Sequence, residues 1–296
     1  MNLIKFRYIF FFISGALIIA SIVSVFIFGL KVGIDFTGGT LWQVKITTNN
    51  QQLMTNDLIT FFENELNIKN ATIYQESESG NYLARLGHIS EEEHQNYLAL
   101  LKTKFGTVEE VRYETIGPTI GKELKRKAIW AIILVLLGIS LYVAYAFRKV
   151  SYPIKSWKYG VITLLTLFHD AVISIGFLAF LSWKFGIELD TKFIVALLVI
   201  IGFSVHDTIV VFDRIRENIL SRSAKELGEI INSSISQTIA RSINTSLTLV
   251  LVLLALFFYG PLALKYFVLL IMTGTIVGTY SSIFIASPSL LWFKNK

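Results

Sequence analysis

Six blocks of about twenty largely apolar residues punctuate the chain, at roughly 9–30, 128–147, 159–183, 193–212, 243–260 and 263–287. No other feature restricts the fold so strongly. A bilayer core about 30 Å thick is crossed by about 20 helical residues. Hydrocarbon offers the backbone no outside partner, so each block must close its own hydrogen bonds as a helix. Hydrophobic residues make up 53% of the 296 and charged residues only 16%, and their concentration in blocks excludes an ordinary soluble core. The expected fold is a polytopic α-helical membrane protein with six transmembrane helices. The first block is too long for the apolar core of a cleavable signal and lacks a small-x-small exit, so it reads as an uncleaved signal anchor.

A net charge of +6 could suggest nucleic acid, but its distribution points to topology. Lys5 and Arg7, then Arg148, Lys149, Lys155 and Lys158, then Arg214, Arg216, Arg222, Lys225 and Arg241, and finally Lys294 and Lys296 fall on one side of the six spans. Opposite them lie Lys184, Lys192 and Lys265. The positive-inside rule puts both termini in the cytoplasm and residues 31–127 outside, with no nucleic-acid partner. The run Lys122 to Lys127 abuts the second span on the outer side, which long translocated domains tolerate. The chain has no cysteine, which excludes disulfides, thiolate catalysis and Cys-type zinc sites.

Three divisions follow: 1–30 as cytoplasmic N-terminus and first span, 31–127 as an extracytoplasmic domain, and 128–296 as five further spans with a cytoplasmic C-terminus. The middle segment has readable elements. "TLWQVKIT" alternates with period two, as a half-buried strand does. "TNDLITFFENELN" follows with Leu58, Phe61, Phe62 and Leu66 on one helical face and Thr55 or Asn56 as N-cap. "ATIYQE" and "NYLARLG" predict strands joined by a turn around Ser79, Gly80 and Asn81. "SEEEHQNYLALLKTKFG" opens with a cap at Ser90 and closes at Gly106, and "VEEVRYET" makes a last strand. The order β-α-β-β-α-β predicts a small ferredoxin-like α+β domain, a fold that by itself assigns no function. "GIDFTGGT" at its start reads as a glycine-permitted turn. A strand follows rather than a helix, so a phosphate-cradling loop is excluded.

The stretch "GFSVHDTIVVFDRIREN" places ionisable groups in the fourth span. A carboxylate at the centre of a membrane helix costs about 2.5 to 3.5 kcal/mol, so it is expected to face the bundle interior and to have a partner. Asp207 lies about six residues, or roughly 9 Å, from the charged exit. Ser204, Asp207, Thr208 and Val211 share its face. The third span carries Thr163, Thr166, Asp170 and Ser174 at similar spacing, beside His169, and the fifth carries Arg241, Asn244, Thr245 and Thr248. These faces are expected to meet, with Arg241 as counter-charge to Asp207. A carboxylate that trades an arginine for a proton is a transport element, and the alternative is an ion pair that only fixes packing. His206 is a relay candidate or a hydrogen-bonded packing residue. Asp213, Arg214, Arg216 and Glu217 mark the span's exit, and Gly274, Gly278 and Ser282 form a small-residue packing face in the last span.

"GIDFTGGT", "IGPTIGKEL", "LFHDAVI" and "GFSVHDTIVVFDRIREN" followed by "RSINTSLT" together resemble the SecF family, the smaller membrane subunits of the SecD–SecF protein-export accessory complex. The likeness is collinear along essentially the whole chain. It implies a member of the resistance-nodulation-division superfamily in the bacterial cytoplasmic membrane. Such a protein pairs with SecD, assists the SecYEG channel and its ATP-driven motor SecA, and engages emerging preprotein, with YajC and membrane lipid as further partners. Protons serve as the coupling ion, and no other cofactor or metal is implied. The family's aspartate falls on Asp207 and its arginine on Arg241, with His206 standing where the family usually has Asn; Asp170 belongs to the same polar interior. Gly33, Asp35, Phe36, Gly38 and Gly39 are the matching residues of the family's signature motif. The chain is thus expected to be a non-enzymatic, proton-driven accessory subunit of protein export. The alternative is half of a proton-driven lipid or small-molecule exporter of the same superfamily. No HExxH motif, Gly-x-Gly-Asp arrangement or nucleophile and base pair supports an intramembrane protease.

Overall fold

Along the chain, α1 (Arg7–Phe28) is followed by the short α2 (Ile34–Thr37), β1 (Gly39–Thr47), α3 (Thr55–Thr60), β2 (Thr72–Gln75), β3 (Tyr82–Leu86), α4 (Glu91–Phe105) and β4 (Thr107–Ile116). Five further helices complete it: α5 (Pro118–Ala146), α6 (Ser156–Phe185), α7 (Thr191–Ser221), α8 (Leu227–Tyr259) and α9 (Lys265–Ser281), the last running through a π-helical turn at Ser282–Ala286 into α10 (Ser287–Ser289). The computed structural model describes residues 3–47, 55–68, 71–75, 80–148, 154–221 and 226–293. Of the expected features, Lys149, Arg222, Lys225, Lys294, Lys296 and Ser79 lie outside the described residues, and the expected caps Thr55 and Asn56 lie within α3 itself. These elements form two units, residues 1–31 with 128–296 and residues 32–127.

In the smaller unit the four strands form one antiparallel sheet in the order β2-β3-β1-β4, the arrangement a ferredoxin-like βαββαβ chain adopts. Trp42 sits in the middle strand, paired with Ala84 on one side and Tyr113 on the other, and is wholly buried. Leu58, Phe61, Phe62 and Leu101 from the helical layer close over it together with Val44 and Leu86. The register of β1 against β4 slips between Gln43 and Val44, a bulge that bends the strand. Helix α4 begins as the sequence predicts: Ser90 caps it, Glu93 completes a reciprocal capping box, and Gly106 ends it at φ +85°. The expected helix from Thr55 is α-helical only to Thr60 and continues as a π-helical stretch over Phe61–Glu65.

Two sequence motifs meet within this unit. A Cβ on Gly38 would lie 2.8 Å from Pro118 Cα, and one on Gly121 would lie 2.8 Å from the Gly38 nitrogen. Gly38 and Gly39 also hold φ of +73° and +125°, so both steric access and backbone conformation demand glycine there. Arg85 Nη2 donates to the Val32 carbonyl at 2.6 Å, tying β3 to the start of the motif.

Among the described residues, six helices are long and apolar enough to cross a bilayer. Several extend beyond the apolar blocks that signal them, most of all α8, which starts at Leu227 rather than near 243. The added turns are amphipathic: Ile230, Ile231, Ser234, Ile235 and Thr238 are buried while intervening polar residues stay out, a pattern a hydropathy threshold misses. Helix α7 packs among α6, α8 and α9. Small residues set these approaches. A Cβ on Gly278 would come 2.9 Å from Ser204 Cβ, and one on Gly274 would come 2.4 Å from the Ile200 side chain, so α9 lies directly against α7. Gly176 receives Ser21 of α1 in the same way, and Ser24 Oγ donates to its carbonyl at 2.9 Å.

Candidate functional site: two buried carboxylates among hydroxyls

Asp170 of α6 and Asp207 of α7 are 0% and 2% exposed. Helical phase delivers both inward: Thr163, Thr166, Asp170 and Ser174 lie on the buried face of α6, and Ser204, Asp207, Thr208 and Val211 lie on that of α7. This is the inward convergence of the third and fourth spans that their spacing predicts.

Asp170 is saturated. Its Oδ2 accepts from Ser204 Oγ at 2.5 Å and from Ser281 Oγ at 2.8 Å, while Oδ1 lies 2.8 Å from Nδ1 of the buried His169. The three donors come from three different helical segments, so the carboxylate joins α6, α7 and α9. Nε2 of His169 is buried with no partner, which leaves Nδ1 as the histidine's one engaged nitrogen.

Asp207 is held more lightly. Thr279 Oγ1 of α9 donates to Oδ2 at 2.9 Å, and Ser246 Oγ of α8 lies 2.5 Å behind that hydroxyl. Ser242, one turn before Ser246, also lies against the carboxylate, yet its Oγ closes no well-formed hydrogen bond.

The expected counter-charge is not in place. Arg241 is exposed, and among the described residues no ion pair within 4 Å joins it to Asp207. Asn244, Thr245 and Thr248 are exposed as well. The reason is helical phase: the buried stripe of α8 is Thr238, Ser242 and Ser246, and one residue's step of about 100° turns Arg241 away from it. The polar face of α8 that meets Asp207 is therefore made of serines. His206 is exposed too.

Toward the C-terminal end of α7 a polar cleft of about 260 Å³ opens, lined by Val210, Asp213, Arg214, Glu217, Gln237, Thr238 and Arg241. Its charges are largely spent on one another: Arg214 pairs with Glu217 at 2.5 Å and donates to Gln237 at 2.6 Å, and Arg216 pairs with Asp213 at 2.7 Å. Val210 and Thr238 lie one turn from Asp207 and Ser242 respectively. Among the described residues no cluster of three or more His, Cys, Asp or Glu side chains could hold a metal.

Sequence reasoning missed Thr279, Ser281, Ser242 and Ser246. The available signal was the interleaving in "TGTIVGTYSS", where glycines permit close approach and the hydroxyls beside them face whatever has approached. Gly274 and Gly278 are packing residues, and this packing brings Thr279 and Ser281 to the acids.

Residues 96–296 match the family model described as "Protein export membrane protein SecD/SecF, C-terminal". The chain belongs to this SecD/SecF family. Relatives agree along its length. The protein translocase subunit SecF of Thermobaculum terrenum is 40% identical, with 100% of this chain and 95% of that one covered. The SecF subunit of Anaerolinea thermophila is 37% identical, covering 100% and 97%. The crystal structure of SecDF, a translocon-associated membrane protein from Thermus thermophilus, superposes with a TM-score of 0.82 at 35% identity. That alignment takes in 99% of this chain and 38% of the longer SecDF chain. The family carries the six-span, multi-pass membrane architecture and the Sec export role with it.

Proposed function

We propose that the chain couples proton movement to protein export, as the SecF-type half of a SecD–SecF assembly beside a SecYEG channel. The observation that carries this reading is Asp207: a carboxylate sealed between helices, held by a single firm hydroxyl donor, and one turn from a polar cleft. Intramembrane acids are functional by default because their burial is costly. Asp207, with fewer donors than Asp170, is the one whose proton exchange disturbs the bundle least.

In this reading both termini face the cytoplasm and residues 32–127 lie outside, where they meet emerging preprotein; YajC and SecA act elsewhere in the assembly. A proton arriving from the outer side binds Asp207 and leaves through the cleft lined by Asp213, Glu217 and Arg241. Arg241 supplies a positive charge that repels protons approaching from the cleft side. One charge crossing about 100 mV releases about 2.3 kcal/mol, enough to bias two bundle arrangements roughly 50-fold. SecD supplies the cover for the exposed polar stripe of α8, Arg241, Asn244, Thr245 and Thr248, which lipid alone would leave unmatched. Support for a SecD-type neighbour comes from Bacillus subtilis SecDF, a single longer chain of which this one covers 38% at 34% identity. The translocase names of the relatives favour protein export over small-molecule export.

The test is proton flux and proton-dependent export in vesicles holding this chain and SecD, with and without Asp207→Asn. The expected result is intact assembly with flux and export reduced about tenfold or more. Normal export by the variant would leave Asp207 a packing residue.

A further inference from the structure

We infer that Thr279 is a positioning residue that reports the protonation state of Asp207 to α8, through a pair of hydroxyls whose donor direction reverses when the proton arrives. The inference rests on the proton-coupled reading above and identifies how the buried acid communicates with a neighbouring helix.

Hydrogen counting makes the case. Thr279 Oγ1 lies 2.9 Å from Asp207 Oδ2, 3.0 Å from the Thr275 carbonyl and 2.5 Å from Ser246 Oγ; Ser246 Oγ lies 2.6 Å from the Ser242 carbonyl. These are four contacts served by two hydroxyl protons. Bonding back to the carbonyl four residues earlier is ordinary for a helical Ser or Thr. A second contact that leaves the helix is not, and both hydroxyls have one.

An ionised carboxylate only accepts. The Thr279 proton must then point at Asp207, and Ser246 is free to donate to Thr279, so the donors run from α8 through α9 to α7. A carboxyl protonated on Oδ2 donates instead to Thr279 Oγ1. The Thr279 proton turns to Ser246 or to the Thr275 carbonyl, and the Ser246 proton turns to the Ser242 carbonyl. Only one bond forms, between the arriving proton and Oδ2; everything else is rotation of hydroxyls. The contact between α8 and α9 thereby differs between the two states.

Ser242 of α8 also lies against Asp207 but closes no well-formed hydrogen bond, and the other groups nearby among the described residues are engaged elsewhere or exposed. On α6, Asp170 and His169 are committed to each other and to Ser204 and Ser281. Arg241 on α8 and His206 on α7 itself are exposed, and α9 presents only hydroxyls at this level. Ser242 Oγ and Thr275 Oγ1 are also buried and close no well-formed hydrogen bond.

The experiment uses the complex with SecD in vesicles and compares Thr279→Val, which keeps the shape and removes the hydroxyl, with Thr279→Ser, which keeps the hydroxyl. Two signals are read: proton-dependent export, and the infrared carbonyl stretch of protonated Asp207, assigned by its loss in Asp207→Asn. We expect Thr279→Val to retain SecD, lose about tenfold in export as the hydrogen bond to a charged group is removed, and shift the carbonyl band. Thr279→Ser should restore both signals to within about twofold. If Thr279→Val does not assemble, Ser246→Ala interrupts the pair at its α8 end and carries the same export prediction. Normal export with an unshifted band in Thr279→Val, or a Ser variant as defective as Val, overturns the inference. If Asp207→Asn itself exports normally, the proton-coupled reading fails, and the band in Thr279→Val still decides whether Thr279 reads Asp207.

Discussion

The two buried acids of the bundle are built to different specifications. Around Asp170, donors from α6, α7 and α9 converge until the carboxylate has no unsatisfied edge. Around Asp207, one firm donor from α9 leads to a second hydroxyl on α8, and a serine stands by unengaged. The first arrangement ties three helices together. On the proposed reading the second loses or gains a proton, since its hydroxyls have other acceptors to turn to. Two aspartates buried in neighbouring membrane-spanning helices thus differ in the number of donors aimed at them.

The sharpest way to break the comparison is to replace each acid with Leu in the SecD complex and measure the thermal unfolding midpoint. Asp170→Leu strips the acceptor from three donors and is expected to cost about 3 kcal/mol or more. Asp207→Leu strips it from one donor that has the Thr275 carbonyl in reach, so stability should change by less than about 1 kcal/mol while export is lost. Equal destabilisation by the two variants would erase the distinction.

A smaller effect sharpens it. Ser204→Ala removes a 2.5 Å donor from Asp170 and should cost about 1.5 kcal/mol, whereas Ser242→Ala removes a hydroxyl with no partner and should stay within about 0.5 kcal/mol. The measurement is again the unfolding midpoint, and the reverse order would show that Asp207 depends on Ser242.

The smallest effect lies outside the membrane, where the same chemistry meets water. Ser90 holds Glu93 by its backbone N–H at 2.7 Å and its hydroxyl at 2.8 Å, and these bonds, the backbone one first, keep the Glu93 carboxyl below its ordinary value of 4.5. A lowered carboxylate stabilises the fold above its unfolded value and loses that contribution as pH falls through the folded one. Helix α4 should therefore loosen slightly below about pH 4.5, and Ser90→Ala, which removes the hydroxyl but keeps the backbone N–H, should weaken that pH dependence without abolishing it, as read by hydrogen exchange of the first turn.

Several site residues could be read from spacing alone. Asp170 and Asp207 sit at positions whose helical neighbours are Ser and Thr, and hydrocarbon leaves such a stripe only one direction to face. Arg241 was legible as a charge near the same level, yet its partner was not, because one residue decides phase on α8 and Ser242 won the inward place. Thr279 and Ser281 belong to a helix about seventy and more residues from the acids they hold. The interleaving of glycines and hydroxyls in α9 marks a close approach but not its partner, since a hydroxyl in a small-residue stripe bonds its own helix equally well.

The amino-acid sequence by itself determined the six spans, the βαββαβ order of the smaller unit and the burial of two carboxylates, because bilayer thickness, strand and helix periods and the cost of charge in lipid act on each segment separately. Only the tertiary structure decided what those carboxylates touch. That depends on how closely α9 approaches α7 over Gly274 and Gly278 and on which edge of α8 turns inward, and these are properties of helices packed together that no single helix contains.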